Sequence, residues 1–292
     1  MSFLATMFKL TASRNDRRRD AAIALPEGVK EYRDISYGPY DRWNLLDVYC
    51  PEDTQEPLPT IVSVHGGGYV YGNKEIYRRY GMDMARRGFA FVNFNYRLAP
   101  KWRFPTPLYE TNRVMQWLCA NAKQYHIDPT RIILVGDSAG AQIASQYAAI
   151  ATNPSYAAQF PMVVPPITIR CVGLYCGLYD VQKHAAKPRA GLYLDYLGKA
   201  RDLSVTDPRL QMFEAITADY PPTFLATACH DFLRAEAPVF RDLLNRKGIP
   251  CRYQCYGSQE DRSVGHVFHL FLNSPEAQLC NDESAGFFRK FL

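Results

Sequence analysis

The sequence predicts an α/β protein, a mostly parallel twisted sheet covered by helices on both faces. Three observations carry that expectation. Strand-length runs alternate with helical segments from about residue 45 onward. The strand runs are apolar and β-branched, as strands buried on both faces require. One of them, Ile132-Ile133-Leu134-Val135, passes straight into Gly136-Asp137-Ser138-Ala139-Gly140, a pentapeptide that turns a strand sharply into a helix and exposes one serine hydroxyl.

In chain order, the predicted strands are Leu45–Tyr49, Thr60–His65, Ala90–Tyr96, Arg131–Gly136, Arg170–Cys176, Pro222–Cys229 and Cys251–Tyr256. Helical segments lie between several of them: Lys74–Arg87, Pro107–Gln124, Ala139–Thr152 and Ala235–Lys247, the last stopped by Gly248-Ile249-Pro250. Two regions break the alternation. Residues 1–28 carry the helical spacing Phe3, Met7 and Leu10, and residues from about 181 to 220 are rich in Lys, Arg, Tyr and Leu. The chain shows no internal repeat and no low-complexity tract.

A serine hydroxyl is a poor nucleophile until a base, an orienting acid and an oxyanion hole surround it. About seventy residues upstream, the strand Thr60–Val64 runs into His65-Gly66-Gly67-Gly68-Tyr69. Glycines there let backbone N–H groups approach a developing oxyanion without obstruction, and the donors expected are the N–H groups of Gly67, Gly68 and Ala139. A flexible glycine turn after a strand and a phosphate loop are the competing readings. Gly67 and Gly72 have the separation of a phosphate loop, but Asn73 precedes Lys74 and no Ser or Thr follows.

An elbow of this kind takes its partners in the order serine, acid, histidine. His184, His230, His266 and His269 follow Ser138. His266 stands on the loop after the last strand, within reach of a serine at the top of the sheet. His269, one helical turn on, reads as structural. The pair lacks the further ligands that a metal would need. Asp231 ends the preceding strand and is the expected acid, with Asp180 and Asp207 as competitors. Asp231 also reads as a helix N-cap.

Together these residues resemble the hormone-sensitive lipase-like family of α/β-hydrolase carboxylesterases. The resemblance rests on His65-Gly66-Gly67-Gly68-Tyr69, Tyr96-Arg97-Leu98-Ala99-Pro100, Ile127-Asp128-Pro129-Thr130-Arg131-Ile132, Gly136-Asp137-Ser138-Ala139-Gly140, Asp231 and His266. It departs at Asp231-Phe232-Leu233-Arg234-Ala235, where the family often has proline and a second acid, and at Lys101, where it commonly has Glu. The resemblance implies the α/β-hydrolase fold in residues 29–292. It also implies a small helical cap built from residues 1–28 and an insertion at about 181–220, with Tyr69, Tyr193, Tyr196 and Leu197 as candidate pocket walls. The implied activity is hydrolysis of short-chain acyl esters through an acyl-enzyme, with Ser138, Asp231 and His266 catalytic and no cofactor or metal. The triad by itself does not separate ester from amide, so an amidase, formamidase or small-peptide hydrolase shares it. A ligand-binding protein that lost catalysis is the reading from another class.

Composition bounds the remainder. The net charge of +5 owes much to Arg14, Arg17, Arg18 and Arg19. These lie beside Asp16 and Asp20, and no nucleic-acid recognition module accompanies them. Eight scattered cysteines read as reduced thiols rather than a disulfide framework. The short apolar patch Phe3–Phe8 precedes the arginines, the reverse of a secretory signal, so the cytoplasm is the expected location. The expected partner is a small-molecule ester. Nucleic acid and stable membrane insertion are not expected, and a homodimer is left open.

Overall fold

The computed structural model describes residues 2–187, 191–198 and 207–292. Eight strands form one sheet: β1 (Val29–Ser36), β2 (Leu45–Pro51), β3 (Leu58–Val64), β4 (Ala90–Phe94), β5 (Ile127–Asp137), β6 (Ile169–Tyr175), β7 (Thr223–Ala228) and β8 (Cys251–Tyr256). Their order is β1-β2-β4-β3-β5-β6-β7-β8. The six strands from β4 to β8 in this order run parallel, while β2 is antiparallel to both β4 and β1.

Adjacent residues of each central strand feed opposite sides of the sheet. Val62, Leu134 and Leu225 enter one core layer, and Ile61, Ile133 and Phe224 enter the other. Both faces are dry, which is why these strands read as unbroken apolar runs. Helix α1 (Phe3–Ala21) precedes the sheet, followed by α2 (Arg78–Arg86), α3 (Thr106–Asn121), α4 (Ala139–Thr152) and a short α5 (Pro154–Ala157). The stretch that broke the alternation holds α6 (Val181–Ala185), α7 (Gly191–Leu197) and α8 (Met212–Ala215), and residues 188–190 and 199–206 lie outside the described residues. The chain closes with α9 (Glu236–Arg246) and α10 (Pro275–Arg289).

Every predicted strand is present, with ends moved by a few residues. Strand β1, the short α5 and helix α10 had not been anticipated. Strand β1 reads Val-Lys-Glu-Tyr-Arg-Asp-Ile-Ser and has no fully buried residue. It is an edge strand whose charges blunt further pairing, so the apolar signal is missing. Helix α10 starts as the residues dictate, with the Ser274 side chain accepting from the Ala277 N–H and Pro275 at the first turn. Its Cys280, Phe287 and Phe288 cover the second core layer.

The topology places the site. β3 has β4 on one side and β5 on the other, so the chain winds away from it in both directions. In such sheets the crevice beyond the carboxyl ends of the strands is where ligands bind. Val64 pairs with Gly136, which sets the glycine loop after β3 beside the serine turn after β5.

Candidate active site

The turn after β5 is tight. Ser138 has φ 53° and ψ −120°, a conformation that a non-glycine residue adopts only where its surroundings impose it. Here they do: the Ser138 N–H donates to the Tyr175 carbonyl at 3.0 Å, and its carbonyl accepts from the Leu178 N–H at 3.2 Å. The flanking glycines are required by contact. A Cβ on Gly136 would lie 2.4 Å from the Gly140 carbonyl oxygen, and one on Gly140 would lie 2.1 Å from that of Val64.

The three residues read from the sequence come together. His266 Nε2 stands 3.0 Å from Ser138 Oγ, and His266 Nδ1 stands 2.7 Å from Asp231 Oδ1. Asp231 is held from three sides, since its Oδ1 also accepts the Leu233 N–H at 2.9 Å and its Oδ2 accepts the Thr227 hydroxyl at 2.8 Å. Burial alone would raise the Asp231 pKa, but the bond from His266 and its charge, with the Leu233 and Thr227 donors, hold it below the usual carboxylate value. Cys176 Sγ also lies within 4.8 Å of both the Asp231 and His266 ligand atoms. The competitors have other work. Asp180 caps α6 through the Lys183 N–H, and Asp207 binds Arg209. His269 is buried and stacked on Tyr175 at 4.3 Å, a structural position.

The glycine loop is braced and its donors are free. Gly67 and Gly68 have φ of +111° and +58°, and a Cβ on Gly67 would lie 2.1 Å from the Tyr71 carbonyl oxygen. Among the described residues, the N–H groups of Gly67 and Gly68 donate to nothing, and that of Ala139 opens helix α4. Unpaired amides at a helix start suit a nascent anion. The loop is tied down on its far side: the Tyr96 hydroxyl donates to the His65 carbonyl at 2.9 Å, and the Gly66 N–H donates to the Tyr77 hydroxyl at 2.8 Å. Burial pushes the His65 pKa down to about 4, so its ring is neutral, stacked on Tyr96.

Tyr77 in turn donates to Asp137 Oδ1 at 2.6 Å, which links the glycine loop to the serine turn. Burial pushes the Asp137 pKa up to about 6, although the Tyr77 bond pulls the other way. The sign follows from linkage. Below the unfolded value of 3.8, both states hold the proton and nothing is lost. Between there and about 6 the unfolded chain ionises first, so stability falls as pH rises. The difference between 3.8 and about 6 corresponds to about 3 kcal/mol. Asp137→Asn keeps an acceptor for Tyr77 and removes this slope. Wild-type stability relative to the variant is therefore expected to fall by roughly 2–3 kcal/mol between pH 4 and pH 7. Denaturant melts at the two pH values check this, and a constant difference would refute it.

A cavity of about 290 Å³ opens over Ser138 and His266. One face of α1 covers it with Phe8, Ala12, Asp16 and Arg19, and Phe232 and Phe271 also line it. Arg19 is buried and bridges Asp16, Asp20 and the Ile76 carbonyl, while the Tyr71 hydroxyl donates to Asp16 at 2.9 Å. Burial raises the Asp16 pKa in spite of the adjacent Arg19. The helical spacing in residues 1–28 announced α1, but only its contacts show which face looks inward.

The anticipated walls Tyr69, Tyr193, Tyr196 and Leu197 are not among the residues that line this cavity. Tyr69 and Tyr196 stack on each other at 3.7 Å inside the core, and Leu197 is buried with them. Tyr193 packs against His184. Tyr69 and Tyr196 are fully buried, as aromatic side chains of this size gain most when removed from water. The N-terminal segment and the later stretch do meet: the Ser2 N–H and hydroxyl both donate to Asp195 Oδ2 at 2.8 Å.

A braced glycine loop, a strained serine turn and an acid–imidazole pair at the carboxyl edge of a parallel sheet define the α/β-hydrolase class. A family model described as the alpha/beta hydrolase fold matches residues 61–270, and the chain belongs to that family. It is similar to the putative alpha/beta hydrolase R526 of Acanthamoeba polyphaga mimivirus, 26% identical over 77% of this chain and 64% of that protein. It is also similar to the versiconal hemiacetal acetate esterase of Dothistroma septosporum, 26% identical over 80% of this chain and 73% of that protein. The chain thus spans less than two thirds of the length of the first of these relatives and 73% of the second. Among solved structures, esterase B from Lactobacillus rhamnosis superposes with a TM-score of 0.90 at 23% identity, over 98% of this chain and 95% of that one.

Proposed function

We propose that the protein is a serine carboxylesterase acting on small esters with short acyl groups. The observation that carries this reading is the array Asp231–His266–Ser138, with bonds of 2.7 and 3.0 Å, at the base of a cavity that also presents the Gly67 amide. His266 takes the hydroxyl proton as Ser138 attacks the ester carbonyl. The N–H groups of Gly67, Gly68 and Ala139 receive the oxyanion, and each such donor is worth about 100- to 1,000-fold in rate. His266 then protonates the departing alcohol, and water repeats the cycle on the acyl-enzyme. Asp231 holds the imidazole tautomer and stabilises its positive charge.

The size of the cavity supports the short-chain reading. The cavity of about 290 Å³ sits at the lower end of ligand pockets, which run from about 300 to 1,000 Å³. Residues 1–28 and the stretch at about 181–220 act as the cap that keeps water from the oxyanion, supported by the inward face of α1 and the Ser2–Asp195 contact. The acetate ester named for the Dothistroma relative agrees with a small acyl group.

The test is covalent. Mixing the enzyme with p-nitrophenyl acetate is expected to release a stoichiometric burst of p-nitrophenol, and mass spectrometry of a rapid acid quench should place one acetyl group on the peptide carrying Ser138. Acetate and butyrate esters should turn over faster than the octanoate. No acyl on Ser138, or faster turnover of acetanilide than of the matched ester, would overturn the proposal.

A further inference from the structure

Helix α1 has a second face that the cavity does not use. Phe3, Met7, Leu10, Arg14 and Arg17 recur at spacings of three and four, so they form one stripe along the helix. All point to solvent: Phe3 is 77%, Met7 47% and Leu10 63% exposed, and Arg14, Arg17 and Arg18 are exposed beyond them. The two acids of the helix, Asp16 and Asp20, are both engaged by the inward Arg19. Among the described residues, no ion pair reaches Arg14, Arg17 or Arg18. The outward face therefore carries large apolar side chains at one end and uncompensated positive charge at the other.

Three large apolar side chains left in water are a standing loss that a partner able to bury them would remove. Phosphate chains of a nucleic acid would satisfy the arginines and leave the apolar end bare. A second copy of this chain, at net charge +5, would add cations to cations. A lipid surface with anionic headgroups matches both ends, because its acyl boundary takes Phe, Met and Leu and its headgroups take Arg. No described helix is long and apolar enough to cross a membrane, so the contact is a lying-on, not a spanning. We propose that the outward stripe of α1 docks the protein reversibly on an anionic lipid surface. The same helix covers the cavity with its other face, and Phe232, 72% exposed, stands at the cavity as a further apolar side chain turned to solvent. Docking would thus bring an ester dissolved in the lipid to the entrance.

Vesicle flotation tests this independently of ester hydrolysis. The full chain is mixed at low salt with vesicles of phosphatidylcholine alone, and with vesicles that also contain phosphatidylserine. It is expected to float with the second and not the first, and to be released by 0.5 M salt, about the concentration at which surface charges are strongly screened. Arg14→Gln with Arg17→Gln and Arg18→Gln is expected to weaken partitioning on the order of 100-fold. Phe3→Ser with Met7→Ser and Leu10→Ser should weaken it at least as much. Turnover of a water-soluble ester serves as the folding control and should stay unchanged in both variants. Equal flotation with both vesicle types, flotation unaffected by either triple variant, or a salt-independent dimer lost on Leu10→Ser with no flotation would overturn the proposal.

Discussion

Ser138→Ala is expected to lower kcat for p-nitrophenyl acetate by about 10⁵- to 10⁶-fold with little change in KM, the scale on which removal of a triad nucleophile acts. The hydroxyl is the only atom lost. Both backbone bonds of the turn, to the Tyr175 carbonyl and from the Leu178 N–H, are made by main-chain atoms and survive the change. The strained φ of 53° is equally available to alanine and serine, so the thermal midpoint should move by only about one or two degrees. A residual rate of roughly 10³-fold over water should remain, because the free amides of the glycine loop and the cavity stay in place. Steady-state kinetics on material with an unchanged melting curve decides it. A loss smaller than about 100-fold would remove Ser138 from the chemistry.

Asp231→Asn is expected to lower kcat by about 10³-fold, less than the ~10⁴-fold known where an asparagine reverses the imidazole tautomer. The difference lies in the donors around this carboxylate. Oδ1 receives both the imidazole Nδ1–H and the Leu233 backbone N–H, and a backbone donor cannot rotate away. An asparagine at this position must therefore keep its oxygen there. Its amide nitrogen then faces Thr227, whose hydroxyl can turn from donor to acceptor. The imidazole tautomer is kept, and what disappears is the negative charge that stabilises the imidazolium. At about 4 Å and an effective dielectric near 20 that charge is worth about 4 kcal/mol, or roughly a thousandfold. Asp231→Ala, which leaves Nδ1 without an acceptor, should be the slower of the two. If Asn and Ala variants were equally slow, the fixed-oxygen argument would fall.

The parts of the site that could be read from the chain are those with local signals. The Gly-x-Ser-x-Gly turn, the His-Gly-Gly-Gly loop and the strand ends at Asp231 and before His266 are each defined within a few residues, because tight turns restrict which side chains fit. Ser138, Asp231 and His266 were nameable for the same reason. Strand β1 was not, since a charged edge strand lacks the apolar run that marks its neighbours. The sequence could not place Tyr69 and Tyr196, because they are equally apolar whether they line a cavity or stack beneath it. Only their 3.7 Å stacking distance puts them in the core.

By itself, then, the sequence determined the alternation of strands and helices and the position of the serine turn, and it made Asp231 and His266 the expected neighbours of that turn. Tertiary structure alone decided which face of α1 covers the cavity, that Tyr77 ties Gly66 to Asp137, and that Arg19 draws Asp16 and Asp20 inward while Arg14, Arg17 and Arg18 stay in water. The physical reason is range. Turn chemistry and strand periodicity act between neighbours along the chain. A hydrogen bond such as that from Tyr71 to Asp16 joins residues 55 apart, and it exists only after the sheet has brought their segments together.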